Sequence, residues 1–264
     1  MINIATWNIN SVNARLPALL AYLNEKQPDF MLLQEIKCQN DNFPAEEIAK
    51  AGYHAIVSGQ KSYNGVAILS KEELLNPLYA LPEVPQSDTP QARFVQGETK
   101  DGLKIISVYV PNGNPPLKDP TSKEKLYYKL AWQDALTAYA KKLLAENASF
   151  IIGGDFNVII NDADVYNPEA YRTNALMVPE VRQKMQDLHN LGLVNAFKTF
   201  HPEGGNYSFW DYTMKAWQRN MGMLIDDILL SPDLAPRLQE SFIDKPMRGI
   251  EKASDHVPLW AVLG

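Results

Sequence analysis

The sequence predicts an α+β fold, two packed β-sheets flanked by helices, in a single domain spanning residues 1–264. Three observations carry this. Strand-length apolar runs recur along the chain, each bounded by Gly, Pro, Asn or Asp. Only a few segments show helical spacing, and they are unevenly distributed, which argues against a strict strand–helix alternation. No repeat, linker or low-complexity tract divides the chain.

The elements follow in order. Met1-Ile2-Asn3-Ile4 opens a strand in which Ala5, Trp7 and Ile9 alternate with Thr6, Asn8 and Asn10. A period of two puts Asn8 and Asn10 on one face, opposite the core-facing residues. Residues 13–25 carry Leu16, Leu19, Leu20 and Leu23 at helical spacing. Strands are expected at 30–33, 66–69, 104–110, 150–152, 224–230 and 257–263. The longest helix is expected at 123–146, with Thr121 and Glu124 spaced as a capping box and Tyr128, Trp132, Ala135, Tyr139 and Leu143 forming one apolar face. A third helix at 179–191 begins on Pro179, a residue suited to a first turn. The irregular stretches 111–122 and 161–178 read as functional loops, since structureless loops this long are uncommon in a compact domain.

Composition bounds the function. With 264 residues, 45% of them hydrophobic, the chain can bury a full core. The single cysteine, Cys38, rules out an internal disulfide framework, favours a reducing setting, and reads as a small buried or half-buried residue. The opening residues lack the pattern of a signal peptide, and no apolar run approaches membrane length, so a cytoplasmic protein without a membrane partner is expected. The net charge of −6 counts against a simple DNA-coating protein; an enzyme touching DNA would need a local basic patch.

The informative signal is polar residues placed at strand ends. Phe30-Met31-Leu32-Leu33 runs into Gln34-Glu35, where the carboxylate is either a solvated terminus or a metal ligand. After 150–152 come Gly153-Gly154-Asp155-Phe156-Asn157: the glycines permit close backbone approach, and Asp155 and Asn157 project to one side. An acceptor and an amide so placed suit orienting a water beside a phosphate. Asp226 and Asp227 interrupt an apolar strand, so one is expected to point inward and to need a partner. Ser254-Asp255-His256 offers one, since an Asp–His pair fixes the tautomer and holds the imidazole protonated. His54, His189 and His201 have no such setting and read as surface residues.

Together these segments resemble the exonuclease III family of abasic-site endonucleases, within the endonuclease/exonuclease/phosphatase superfamily. They run in family order: Trp7-Asn8-Ile9-Asn10, Leu33-Gln34-Glu35-Ile36-Lys37, Tyr63-Asn64-Gly65-Val66-Ala67, Tyr109-Val110-Pro111-Asn112-Gly113, Gly154-Asp155-Phe156-Asn157, Ser208-Phe209-Trp210-Asp211-Tyr212, Ile225-Asp226 and Ser254-Asp255-His256-Val257-Pro258. The resemblance implies a four-layer α/β sandwich: two mixed, mostly antiparallel sheets face to face with helices outside. It also implies a magnesium-dependent DNA repair phosphodiesterase, with manganese able to substitute, cutting 5′ to abasic sites and carrying 3′–5′ exonuclease and 3′-end-cleaning activity. The implied partner is double-stranded DNA with abasic or 3′-blocked sites, and the acting unit a monomer.

By the same resemblance, Glu35 is the principal metal ligand, with Asn10 and Asp255 near the ion directly or through water. Asp155 orients or deprotonates the attacking water; Asn157 and Asn8 fix that water, the phosphate and their neighbours. His256, paired with Asp226, donates to a non-bridging phosphate oxygen, which Tyr109 and Asn112 also reach. Phe209, Met223 and Ile225 match the apolar pocket for a flipped, baseless sugar. Three positions depart from the family pattern: Leu224 stands where a basic residue is usual, Asp227 where an aromatic or His is, and Met223 where Trp or Leu is frequent. The candidate DNA surface is Lys118, Lys123, Arg172, Lys215, Arg219, Arg248 and Lys252, in or beside loops near these segments. A superfamily relative acting on a phosphoinositide, sphingomyelin or RNA is the alternative reading, and a DNA-binding module without catalysis a third.

Overall fold

The computed structural model describes residues 1–84, 90–115 and 117–264. The first part of the chain contributes β1 (Ile2–Asn8), α1 (Leu16–Lys26), β2 (Phe30–Gln34), α2 (Ala45–Lys50), β3 (His54–Ser58) and β4 (Val66–Ser70). The middle adds β5 (Leu75–Leu78), β6 (Phe94–Glu98), β7 (Lys104–Tyr109), α3 (Glu124–Ala145) and β8 (Phe150–Asp155). The remainder adds α4 (Pro179–His189), β9 (Val194–Asn195), α5 (Ala196–Phe200), β10 (Asp226–Leu230), β11 (Leu238–Ile243) and β12 (Leu259–Leu263).

The strands make two six-stranded sheets, ordered β11-β12-β1-β2-β4-β3 and β5-β6-β7-β8-β10-β9. Neighbours are antiparallel except β1/β2 and β7/β8. Alternation along each strand sends residues to two different cores. Ile4, Leu32 and Ile68 meet Ile105, Ile151 and Ile228 between the sheets. Met31, Leu33 and Leu69 pack outward against Leu19 and Leu23 of α1 and Ile48 of α2. Ile106 and Ile152 pack outward against Trp132, Leu136, Val181 and Met185 of α3 and α4. The four-layer sandwich therefore stands as expected.

The glycines of β8 act by absence. A Cβ on Gly154 would lie 1.9 Å from the Val108 carbonyl oxygen, and one on Gly153 would lie 2.6 Å from Leu32 of the facing sheet. Register then aligns the site: Tyr109 pairs with Asp155 across β7/β8, and Asp226 with Asp155 across β8/β10. The C-terminal ends of β1, β2, β7 and β8 and the start of β10 share one pole.

Several expectations are corrected. The face of β1 opposite Ala5 and Trp7 is core as well: Ile4 through Asn8 are all buried, because sheet and helices cover both faces. The strand ends at Asn8, and Asn10 already lies in the left-handed region (φ 49°), so the two asparagines do not share a strand face. The capping box does not form, since α3 starts at Glu124 itself; Glu124 is the first helical residue rather than the third, and the Thr121 hydroxyl donates to Asp119. Strands β3, β5, β6 and β11 are additions, their half-exposed or polar sequences giving little apolar signal. Cys38 is buried, and burial pushes its thiol up to about 11. Among the described residues, no helix is long and apolar enough to cross a membrane.

Candidate active site

Glu35 leaves β2 with φ 48°, an uncommon backbone state for a glutamate. The turn aims its carboxylate into the pole. Oε1 accepts from Asn8 Nδ2 at 3.0 Å and from the Tyr109 hydroxyl at 2.8 Å, while Oε2 pairs with Lys37 at 2.8 Å. Burial opposes the charge on Glu35, but Lys37 and Asn8 outweigh it and hold the carboxyl below its usual range. Burial beside Glu35 keeps Tyr109 protonated. Lys37 Nζ also reaches Asn10 Oδ1 at 2.6 Å, and Asn10 Nδ2 donates to Asp255 Oδ1 at 3.0 Å. Oxygens of Glu35 and Asn10 thus already converge on a positive charge, with Asp255 adjacent. This hard-oxygen set fits a magnesium ion.

Asn8 bridges the two sheets, since the same Nδ2 that faces Glu35 donates to Asp155 Oδ2 at 3.0 Å. Asp155 is 2% exposed, and its Oδ1 accepts the Asn157 main-chain N–H at 2.9 Å. Asn157 Nδ2 is anchored on the Val110 carbonyl at 2.9 Å, and its Oδ1 accepts from Asn112 at 3.3 Å. Asp226 Oδ2 accepts from Ser208 at 2.6 Å and meets His256 Nδ1 at 2.8 Å; His256 Nε2 lies 3.7 Å from Asp155. Burial alone would strip the proton from His256, but the Asp226 and Asp155 carboxylates outweigh it and raise the imidazole to about 10. Burial raises Asp155 despite the opposing His256 charge. Asp155, Asp226 and His256 are close enough for a second metal-binding set. Within that set, His256 Nδ1 is already engaged by Asp226 Oδ2.

Glu35, Tyr109, Asn112, Asp155, Asn157, Asp255 and His256 line a cleft of about 340 Å³. Phe209, Met223 and Ile225 form its apolar wall, with the Phe209 ring edge-on to His256 at 4.8 Å. Tyr171, Asn174 and Leu176, from the irregular stretch 161–178, complete it. They carried no sequence signal beyond loop length. Lys37 belongs to the Leu33–Lys37 segment, where sequence gives it no role, and Lys129 lies on the buried face of α3 but outside the stripe of Tyr128, Trp132, Ala135, Tyr139 and Leu143.

Both Asp226 and Asp227 are buried, not one, and each finds polar partners on its own side of β10. His201 and His189 are half-buried rather than surface residues: His201 stacks on Phe197 and bonds the Ser241 carbonyl, and burial lowers the His189 pKa. Of the proposed DNA-facing cations, Lys118, Lys123, Lys215, Arg219 and Lys252 are exposed. Arg172 is occupied by Asp162 (2.6 Å) and Glu169 (2.9 Å). Arg248 donates to the Trp210 carbonyl and lies over the Tyr212 ring.

Comparison with known proteins fits this arrangement. Residues 5–256 match the Endonuclease/Exonuclease/phosphatase family. Exodeoxyribonuclease III of Haemophilus influenzae is 33% identical over 97% of each chain. An AP endonuclease from Archaeoglobus fulgidus superposes with a TM-score of 0.92 at 34% identity, covering 100% of this chain and 99% of that one. A 3′ phosphatase from Neisseria, solved with a product DNA hairpin, superposes at 0.93 with 36% identity over 100% of both chains. The chain belongs to the endonuclease/exonuclease/phosphatase family, in its exonuclease III branch of AP endonucleases, and is a hydrolase of the nuclease type.

Proposed function

We propose that this chain is a DNA repair enzyme that hydrolyses the bond between phosphorus and a 3′-oxygen of DNA, cutting 5′ to abasic sites and clearing blocked 3′ ends by the same cleavage. The observation that carries this is the Asn8 bridge, which sets the Glu35 carboxylate on one sheet against Asp155 and the Asp226–His256 pair on the other.

Glu35, Asn10 and Asp255 would hold a magnesium ion, with manganese able to replace it. When bound, the ion polarises the phosphate and stabilises charge on its oxygens. Asp155, made more basic by burial, takes the proton of the attacking water. Asn8 and the Asn157 main-chain N–H fix the two Asp155 oxygens, so that proton acceptor is held in one orientation. His256, kept protonated by Asp226, donates from Nε2 to a non-bridging oxygen as negative charge develops there. Tyr109 and Asn112 reach the same phosphate from the β7 side. Phe209, Met223 and Ile225, backed by Leu176, offer an apolar slot for a sugar that lacks its base.

A second reading gives weight to the 3′ end alone, favoured by the close superposition on the Neisseria 3′ phosphatase. Three labelled duplexes with magnesium separate the two: one with a single abasic analogue, one with a nick ending in 3′-phosphate, and one with a recessed 3′-hydroxyl. A single nick at the abasic analogue supports the first reading. Phosphate release or 3′ trimming without that nick supports the second. No product from any of the three contradicts both.

A further inference from the structure

The cleft rests on a buried cation that the proposed chemistry does not touch. Lys129 of α3 is 0% exposed. Its Nζ donates to three main-chain carbonyls: Asn112 at 3.1 Å, Asn157 at 2.5 Å and Ala175 at 2.9 Å. An ammonium has three N–H donors, and all three are used. Burial pushes the Lys129 pKa down to about 7, with the Asp155 charge opposing and Arg93 adding to the fall. An apolar side chain here would remove that desolvation cost, so packing alone does not account for a lysine.

The three carbonyls belong to three separate loops. Asn112 follows β7, Asn157 follows β8, and Ala175 lies between Asn174 and Leu176 of the cleft wall. Asn114 adds to the third junction, its side chain accepting from Ala175 N at 3.0 Å. The lysine stem passes through a gap left by Gly113, which sits at φ +85°; a Cβ there would lie 2.6 Å from Lys129 Cδ.

We propose that Lys129 is a positioning residue for the reaction: its ammonium clamps three loops at one point and thereby fixes Asn112 and Asn157 relative to Asp155. This rests on the DNA hydrolase reading for its kinetic consequence, but not for its structural one. The clamp is a convergent set of main-chain bonds to one donor, so its loss frees all three loops together while α3 remains packed through Trp132, Leu136 and Leu143.

The test uses Lys129→Met, Lys129→Gln (which keeps a polar end with one donor fewer and no charge), and Leu143→Ala as a core control of comparable destabilisation away from the loops. Amide hydrogen exchange and steady-state cleavage are measured well below each melting temperature. The expected result is faster exchange around residues 112–114, 157–159 and 174–177 at once in the first two variants, with α3 still protected. kcat should fall about 100-fold in Lys129→Met, the scale of an ångström-level misplacement, with KM changed less than about threefold. Leu143→Ala should show neither effect. If Lys129→Met does not fold, Lys129→Gln decides. Unchanged exchange in the three loops, or a kcat loss no greater than that of Leu143→Ala, overturns the proposal. If the unaltered protein cleaves no DNA, the functional reading fails, and the exchange data alone judge the clamp.

Discussion

Asp226 and Asp227 are adjacent in sequence and almost equally buried, at 2% and 5% exposure, yet they serve two different regions. Asp226 is bonded to Ser208 and to His256, which lines the cleft. Asp227 faces the helix side, where it is bonded to the Asn195 amide and its neighbour's N–H, beside the Lys198–Asp164 ion pair. Burial raises Asp227 to about 7; the Ile228 N–H opposes this, and Asp164 reinforces it more than Lys198 relieves it. The contrast is one of partners rather than depth. A carboxylate buried against an imidazole makes a protonated group that can act on phosphate. One buried against amides makes a site that resists ionisation and has only structural consequences.

The sharpest way to break this contrast is a pair of isosteric variants. Asp226→Asn should cost about 1,000-fold or more in kcat, the scale seen when a histidine loses its orienting carboxylate. Asp227→Asn should leave kcat within about threefold, because it touches no reacting group. Initial nicking rates on an abasic duplex decide, and equal losses would erase the distinction. Metal removal comes next: chelator should stop cleavage, and excess magnesium or manganese should restore it. Calorimetric magnesium binding should weaken in Glu35→Gln and stay unchanged in Asp227→Asn.

The pH responses differ in kind. His256 is raised from about 6.5, so its stabilising pairing is fully present below that value and is lost as pH climbs through about 10. Cleavage should therefore decline on the alkaline side, and Asp226→Asn should move that decline to lower pH. Asp227 is an acid raised from about 4 to about 7, so the stability tied to its proton is present below about 4 and lost as pH rises towards 7. Asp227→Asn should flatten the stability profile by at least about 1 kcal/mol between pH 4 and pH 8 in urea melts. An unchanged slope would mean that Asp227 ionises freely. The smallest effect belongs to the exposed cations: Lys215→Ala or Arg219→Ala should reduce the slope of log affinity against log salt by about 1 and leave kcat unaltered.

What could be read in advance followed from local geometry. The strand-end placement of Glu35 and Asp155 needed only period two, and the cost of burying a charge asked for a partner to one of Asp226 and Asp227; that Asp226 is the one paired with His256 came from the family resemblance. The helices at 123–146 and 179–191 announced themselves by spacing, and their observed ends differ by no more than two residues. Features that depend on how distant layers meet stayed hidden. Asn8 joins Glu35 to Asp155 only because the two sheets face each other, and no local pattern encodes that approach. That both Asp226 and Asp227 would be buried was hidden because the Asn195 amide that Asp227 accepts from comes from a strand about thirty residues earlier. Lys129 was missed because the buried face of α3 is rotated from the apolar stripe, taking in Lys129 and Gln133 while Tyr128 is only partly covered. Leu176 and Tyr171 reach the cleft through a long loop whose course has no periodicity to read.

The measurement that bears most directly on the cleft as a catalytic centre is cleavage of a duplex carrying one abasic analogue, with magnesium, by the unaltered chain and by Asp155→Ala and His256→Ala, each shown to be folded by its melting curve. The account predicts a single nick on the 5′ side of the analogue, leaving a 3′-hydroxyl, and its loss in both variants and in chelator. Undiminished nicking by both folded variants would contradict it.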